Sequence, residues 1–243
     1  MDAGPGGLVP PQPRGWAHLV SVRAGVAELR CRRVRTFVTP NVAIWIPSGL
    51  PYALDLQTSC RLRILYADEA IYAVRPFGPL QMTPLMRELV ERAVTSGFLD
   101  ARLACDRHLL AVIRDELARL CDANVASVIV LPRDAALLAI AERLGAHPDD
   151  TLRIAELAAS VDMSLRTFER RFASETGLAP REWIRRARLS SAMLSLASGA
   201  SVTEAGLACG YASLSAFISA FRAVHGVTPG TFAAAALGAT LAR

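Results

Sequence analysis

The pattern of apolar and polar positions changes along the chain. Residues 16–72 carry short runs of β-branched and aromatic residues, separated by Gly, Pro and Asn, which is typical of short strands. From Thr83 onward, apolar residues recur at helical spacing, and Thr83 before Pro84 is typical of a helix N-cap. The pattern therefore predicts strands first and helices afterwards.

A short apolar run, "VIVLP", follows these helices and precedes another predicted helix from about Asp134 to about Gly145. After Thr151 the pattern is helical throughout, so a boundary is expected near "GAHPDD". The expected divisions are a disordered leader (1–14), a small strand-rich barrel domain (15–82), a helical segment (83–125), a strand-helix linker (126–150), an all-α domain (151–233) and a C-terminal tail (234–243).

One phrase occurs twice in the all-α part. "SLRTFERRFASETGLAP" begins at Ser164 and "SLSAFISAFRAVHGVTP" begins at Ser213, and their Ser, Leu, Phe, Phe, Gly and Pro positions match at one constant offset. A shorter apolar helix precedes each phrase. Two helix-turn-helix units are therefore predicted.

Helical geometry separates the first phrase into two faces. Leu165, Phe168 and Phe172 fall at i, i+3 and i+7, and we expect them to form one buried stripe. The opposite side carries an exposed stripe with its flanking positions: Arg166, Thr167, Glu169, Arg170, Arg171 and Ala173. Any solvated surface helix has two such faces. The arginine content, the preceding helix and the duplication favour a helix that reads a DNA major groove, because guanidinium groups bond guanine or phosphate at two points.

Composition narrows the class of protein. The chain has 243 residues, 52% hydrophobic content and a net charge of +5, and all its basic side chains apart from histidine are arginine. These values exclude a disordered chain and permit a nucleic-acid partner. No apolar run approaches a membrane span of about 20 residues, and the N-terminus lacks a secretory signal pattern, so a cytoplasmic protein is expected. Scattered cysteines are expected to be reduced, buried thiols: Cys31, Cys60, Cys105, Cys121 and Cys209.

The segment from about Thr151 to Phe232 resembles the DNA-binding domain of the AraC/XylS family of bacterial transcription regulators. "MSLRTFERRF" and "GYASLSAFISAFRAVHGVTP" carry the resemblance. It implies two recognition helices that enter successive major-groove segments of double-stranded DNA, joined by a long helix from Pro180 to about Ala197. The residues implied to contact DNA are Ser164, Arg166, Thr167, Glu169, Arg170, Arg171, Ser213, Leu214, Ser215, Ile218, Ser219 and Arg222.

The second phrase departs from the family pattern. Ser219 occupies a position where many members have arginine, and its neighbours Leu214, Ser215 and Ile218 are apolar or small. We therefore expect the first unit to carry most of the base specificity and the second to contribute positioning, with Arg222 on a phosphate. In the linking helix, Arg185, Arg186 and Arg188 either contact the DNA backbone or are solvated.

The stretch "VTPNVAIWIPSGLPYAL" resembles the strand-turn-strand of a cupin barrel. Tyr52 stands where many cupins have a metal-binding histidine, and the four histidines share no ligand spacing, so we expect no metal, no cofactor and no enzyme activity. The barrel is short, which predicts exposed strand edges that a second subunit covers.

The resemblance implies that this domain senses a small effector or forms a dimer. One set of aromatic and arginine residues could line an effector pocket or belong to an ordinary barrel core and rim: Trp16, Trp45, Tyr52, Arg61, Arg63 and Tyr66. The helices from Thr83 to Asp122 suit a dimer contact, which the resemblance favours, or packing on the barrel itself.

The sequence thus predicts an α+β, DNA-binding protein. The resemblance implies an activator that responds to a small effector, forms a homodimer, has RNA polymerase as a partner and is associated with the bacterial nucleoid. The alternatives are a ligand-independent regulator whose barrel only dimerises, and a cupin-type enzyme.

Overall fold

The computed structural model describes residues 2–68, 76–120, 128–146 and 153–238. Its strands are β1 (Asp2–Ala3), β2 (Gly6–Leu8), β3 (Trp16–Val22), β4 (Ala27–Cys31), β5 (Val34–Val38), β6 (Val42–Ile46), β7 (Ala53–Leu56), β8 (Cys60–Asp68), β9 (Gly78–Gln81) and β10 (Ile129–Val130). Its helices are α1 (Pro84–Ser96), α2 (Ala104–Arg119), α3 (Ala135–Ala146), α4 (Ile154–Ala159), α5 (Leu165–Thr176), α6 (Pro180–Ala197), α7 (Val202–Ala208), α8 (Leu214–His225) and α9 (Pro229–Ala236).

The chain divides into two compact units. The first comprises residues 1–29, 37–125 and 234–243, and the second comprises residues 30–36 and 126–233. The predicted α+β class is confirmed, with an antiparallel β region and its helical extension ahead of an all-α double helix-turn-helix in the sequence.

In the first unit, an antiparallel sheet has the strand order β1-β8-β3-β6-β9, and a second set of strands is ordered β4-β7-β2. These orders are linear, so the described strands form open sheets rather than a closed barrel. Because strand residues alternate between faces, Leu19 and Trp45 face α1 and α2, where Met86, Ile113 and Leu117 complete the core.

The N-terminal residues differ from the expected disordered leader. Strand β1 pairs with β8, with Asp2 opposite Arg61, and β2 pairs with β7, with Gly6 opposite Leu56. An edge strand presents unpaired N–H and C=O groups, and the leader satisfies them by adding a strand to each sheet. The edges that a second subunit was expected to cover are thus partly covered by the chain itself.

Helices α1 and α2 pack on their own sheet. Thr83 caps α1 as predicted, and its hydroxyl oxygen accepts a hydrogen bond from Met86 N at 3.0 Å. Most of the apolar residues of α1 and α2 are buried or half-buried, but Leu85 and Val112 are 52% and 47% exposed. The start of the expected tail also belongs to this unit, because Gly25 N donates to Ala236 O at 2.7 Å.

The second unit includes residues that were expected to be a linker. Strand β10 pairs with β5, with Ile129 opposite Arg35, and Leu137 and Leu144 of α3 lie in one core with Phe168. An amphipathic helix buries its apolar stripe wherever a complementary core is available, and here that core is the first helix-turn-helix. The predicted boundary at 147–150 lies outside the described residues, as do residues 121–127, including Cys121.

Candidate DNA-binding surface

Helix α5 is capped at both ends by residues of the repeated phrase. Ser164 is its N-cap, and the serine hydroxyl oxygen accepts a hydrogen bond from Thr167 N at 3.3 Å. Gly177 ends the helix in the left-handed region with φ 76°, which favours glycine. The sequence therefore fixes where the exposed stripe begins and ends.

Aromatic packing fixes the rotation of α5 about its axis. Phe168 and Phe172 are at most 1% exposed, and the ring of Phe172 meets that of Trp183 at 5.6 Å, edge to face. The Trp183 indole N–H donates to Val130 O at 3.1 Å, so α6 and β10 are joined at the same core. Leu165 differs from expectation because it lies in the first turn, beyond this core, and is 45% exposed.

The opposite face of α5 is open. Arg166, Glu169 and Arg170 are exposed, and none of them forms a hydrogen bond or ion pair with any residue that the structure describes. A guanidinium without an intramolecular partner retains all five N–H donors. Arg166 and Arg170 are therefore available to bases and phosphates.

Arg171 and Thr167 lie differently from that stripe. The Arg171 guanidinium is 2.7 Å from the carboxylate of Asp134 and is partly buried, which ties α5 to the start of α3. Thr167 is half-buried, and its hydroxyl accepts a hydrogen bond from Ser164. Both side chains thus have a structural contact within the unit, which the pattern of α5 alone does not reveal.

Helices α7 and α8 repeat this construction. Ser201 and Glu204 form a capping box at α7, and Ser213 caps α8 by accepting from Ala216 N at 3.2 Å. Gly206 has no side chain, and a Cβ there would lie 3.0 Å from the ring of Phe217, so the glycine permits close approach of the two helices.

The core of the second helix-turn-helix contains a histidine. Phe217 and Phe221 are fully buried, and His225 lies against Phe221 with ring centroids 4.4 Å apart. Its Nε2 is 3.3 Å from Leu189 O, and burial lowers the pKa of His225 to about 4, so the imidazole is neutral at pH 7.

The outward face of α8 is weakly polar. Ser215, Ser219 and Arg222 are exposed, Leu214 is 45% exposed and Ile218 is half-buried. Serine hydroxyls and apolar side chains offer single hydrogen bonds and methyl contacts, whereas paired hydrogen bonds to guanine need arginine or lysine. The two helices therefore present different chemistry from equivalent positions.

Two of the three arginines singled out in α6 share one carboxylate. Glu182 accepts from Arg185 at 2.8 and 3.0 Å and from Arg186 at 2.8 Å. Hydrogen bonds from Arg185 and Arg186 lower the pKa of Glu182 to about 2, so the carboxylate is ionised at neutral pH. Sequence reasoning missed Arg181, which is exposed four residues before Arg185 and on the same helix face.

Most of the residues named for an effector pocket are not brought together. Trp45 faces α1 and α2, whereas Tyr52 is buried with its hydroxyl 2.9 Å from His18 Nδ1, and burial raises the pKa of this tyrosine. The Arg63 guanidinium donates to both carboxylate oxygens of Glu91, at 2.9 and 3.0 Å. Strand alternation separates these side chains, because neighbouring positions face opposite sides of a sheet.

Trp16 and Tyr66 are the members of that set that line a cavity, whereas Arg61 is exposed on β8 opposite Asp2. The cavity measures about 900 Å³, and Phe98 also lines it. Among the described residues no group of three His, Cys, Asp or Glu side chains is placed to hold a metal ion. None of the described helices is long and apolar enough to span a bilayer.

Comparison with known proteins finds one family model and several relatives that are similar to this chain. A family model described as a helix-turn-helix domain matches residues 157–235. The HTH-type transcriptional regulator NimR of Escherichia coli is 27% identical over 200 residues, which cover 81% of this chain and 72% of that protein. The HTH-type transcriptional regulator RipA of Corynebacterium glutamicum is 32% identical over 108 residues, which cover 44% of this chain and 33% of RipA.

Among solved structures, the DNA-binding domain of AdpA in complex with a target DNA is similar to this chain. It is 34% identical, with a TM-score of 0.39, and the match covers 42% of this chain and 93% of that one. Residues 157–235, which hold most of the duplicated helix-turn-helix described above, thus match a helix-turn-helix domain family, and the relatives named here are HTH-type transcriptional regulators.

Proposed function

We propose that the chain binds a specific DNA sequence and that α5 supplies most of the base readout. The observation that carries this proposal is the open stripe of α5, where Arg166 and Arg170 are exposed and without partners among the described residues. Arginine that is bidentate to guanine O6 and N7 is the commonest specific contact in a major groove. A rigid core behind the stripe supports readout, because Phe168 and Phe172 hold its orientation.

Helix α8 contributes mainly positioning in this account. Ser213, Ser215 and Ser219 donate to phosphate oxygens or single base edges, and Arg222 bonds a phosphate. Leu214 and Ile218 supply apolar contacts to thymine methyl groups. The two half-sites are therefore expected to differ, with strict base preference under α5 and tolerance under α8.

The first unit acts, in this proposal, as the sensory and dimerising part of an activator that recruits RNA polymerase in the bacterial cytoplasm. The exposed apolar positions Leu85 and Val112 on α1 and α2 support a helix-to-helix dimer. The cavity lined by Trp16 and Tyr66 supports an effector site, although Trp45, Tyr52 and Arg63 are engaged elsewhere. That engagement is also the observation that favours the second candidate, a ligand-independent regulator that uses this unit only for dimerisation. Neither candidate includes a catalytic step.

Selection of bound sites from randomised double-stranded DNA tests the proposal. We expect an enriched site with one strongly preferred segment and one weakly preferred segment, and two copies of it if the dimer is correct. The same selection with Arg170→Ala should lose preference at one position of the strong segment. Enrichment of no sequence above background, or a strong segment unaffected by Arg170→Ala and Arg166→Ala, would contradict readout by α5.

A further inference from the structure

Helix α6 carries a row of arginines on one face. Arg181, Arg185 and Arg188 are spaced at i, i+4 and i+7, with Ile184 between them, and a helix brings such positions to one side. They line two cavities of about 570 and 220 Å³ that share Arg181, Ile184 and Arg188. We call the surface formed by these four residues the α6 trough.

The trough reaches both helix-turn-helix units. Its larger cavity is also lined by Leu165 and Glu169 of α5 and by Arg153, the N-cap residue of α4. Its smaller cavity is also lined by the turn that precedes α8, including Tyr211. The arginine row therefore lies between the exposed stripe of α5 on one side and the turn before the second recognition helix on the other.

The trough is cationic. Arg153 and Arg181 are exposed, and the Arg181 side chain forms no hydrogen bond or ion pair with any residue that the structure describes. Glu182, beside the row, accepts a hydrogen bond from Arg185 and offsets its charge. Glu169 is the carboxylate that lines the larger cavity. The arginines outnumber these carboxylates, so the surface attracts anions.

Contacts behind the row hold it in place. The Cys209 thiol donates to Arg188 O at 3.1 Å, and Trp183, Leu189 and Met193 are buried on other sides of α6. The backbone that carries the arginines is thus fixed before an anion arrives, which lowers the ordering cost of binding.

We propose that the α6 trough binds DNA backbone phosphates at the minor groove that separates the two major-groove segments under α5 and α8. The seven helical rises from Arg181 to Arg188 span about 10 Å, and a minor groove is about 6 Å wide. The row is therefore long enough to meet phosphates on both borders of the groove. The inference rests on the proposed function, because it needs both recognition helices on one duplex.

Arg181→Gln tests this inference with little risk to folding, because the side chain is exposed and unpaired among the described residues. Arg133→Gln is the matched control. It removes the same charge from an exposed arginine of the same unit, beside Glu175 at the C-terminal end of α5. Affinities of the full chain for its selected site and for an unrelated duplex are measured at 50 and 200 mM salt.

The loss of one phosphate contact lowers the salt slope by about 0.9. We therefore expect the ratio of affinities at 50 and 200 mM salt to fall about threefold for Arg181→Gln, equally on both duplexes. Arg133→Gln should retain the wild-type ratio. Circular dichroism of both variants should match that of the wild type.

Three outcomes would overturn the inference: a wild-type salt slope in Arg181→Gln, an equal change in Arg133→Gln, or a loss confined to the selected site. Titration with inorganic pyrophosphate distinguishes a DNA phosphate site from a site for free anions. If Arg181→Gln loses pyrophosphate binding but keeps the wild-type affinity for DNA, the inference is also overturned. Absence of any sequence preference in the wild type would instead contradict the proposed function.

Discussion

At the scale of single residues, neighbouring arginines of α5 have different surroundings. Arg170 is exposed without a partner among the described residues, while Arg171 is held 2.7 Å from Asp134. An ion pair at a partly exposed site contributes about 1 kcal/mol or less to stability, but it restrains the side chain. Arg171 therefore helps to orient α5, and Arg170 remains available to DNA.

His225 gives the second helix-turn-helix a dependence on pH. Burial lowers the pKa of His225 from 6.5 to about 4, so the unfolded chain binds the proton first as the pH falls. The contribution of the neutral imidazole to the free energy of unfolding is fully present above pH 6.5 and is lost as the pH falls from 6.5 to 4. At pH 5 the loss attributable to this group is about 2 kcal/mol.

Urea unfolding of wild type and His225→Gln at pH 7 and pH 5 measures this contribution. We expect the variant to be less stable at pH 7 but to lose about 2 kcal/mol less than wild type between the two pH values. Equal losses in both proteins would show that the imidazole is not held neutral by its surroundings.

The sequence located the stripe of α5 because its residues are local to one helix. It did not reveal that Asp134 engages Arg171, because the two positions are 37 residues apart and only the tertiary fold joins them. Leu165 was assigned to the buried stripe by its spacing, but the core ends before the first turn of α5. Periodicity gives the direction of a side chain, not the extent of the core it meets.

At the scale of elements, α5 depends on packing more than on intrinsic helix preference. Its buried rings contact Trp183 of α6 and the side chains of α3, so three helices share one core. Most helical stability in proteins comes from such an apolar face. Loss of a ring from this core should therefore disturb the first helix-turn-helix as a whole.

Phe172→Ala should destabilise the second unit by about 3–5 kcal/mol, because it removes a fully buried ring and leaves a cavity. Leu165→Ala is the control in the same helix, and its 45% exposure predicts a cost below about 1 kcal/mol. Urea unfolding measures both variants in a chain that also carries Trp16→Phe and Trp45→Phe, so that tryptophan fluorescence reports Trp183. Similar costs for both substitutions would argue against this core.

The repeated helices were predictable because their caps and aromatic spacing depend on residues that are close in the sequence. Ser164 and Ser213 start helices, and Gly177 and Gly226 end them. The strands β1 and β2 were not, because Gly and Pro in the leader are typical of disorder. Their structure comes from backbone pairing with β8 and β7, which does not depend on side-chain pattern.

At the scale of the whole molecule, the proposed dimer explains how two asymmetric readers could select a long site. Leu85 and Val112 are exposed apolar residues on α1 and α2, next to a core that already buries the rest of the stripe. Exposed apolar residues on helices are compatible with an interface. The proposed dimer contact therefore lies on α1 and α2.

Val112→Glu should shift the chain from dimer to monomer in sedimentation velocity, because it introduces a charge into the proposed contact. Leu207→Glu is the control, since Leu207 is 67% exposed on α7 and lies outside that contact. A wild-type chain that is monomeric at all concentrations, or dimers of equal strength in both variants, would contradict the assignment.

The central claim is that the guanidinium groups of α5 read bases while α8 mainly positions the protein. Affinities of Arg170→Ala and Ser219→Ala for the selected site and for single-base variants of it test this claim most directly. We predict that Arg170→Ala loses about 1–3 kcal/mol and its preference at one base pair, whereas Ser219→Ala binds nearly as wild type. The reverse ranking of the two variants would contradict the account.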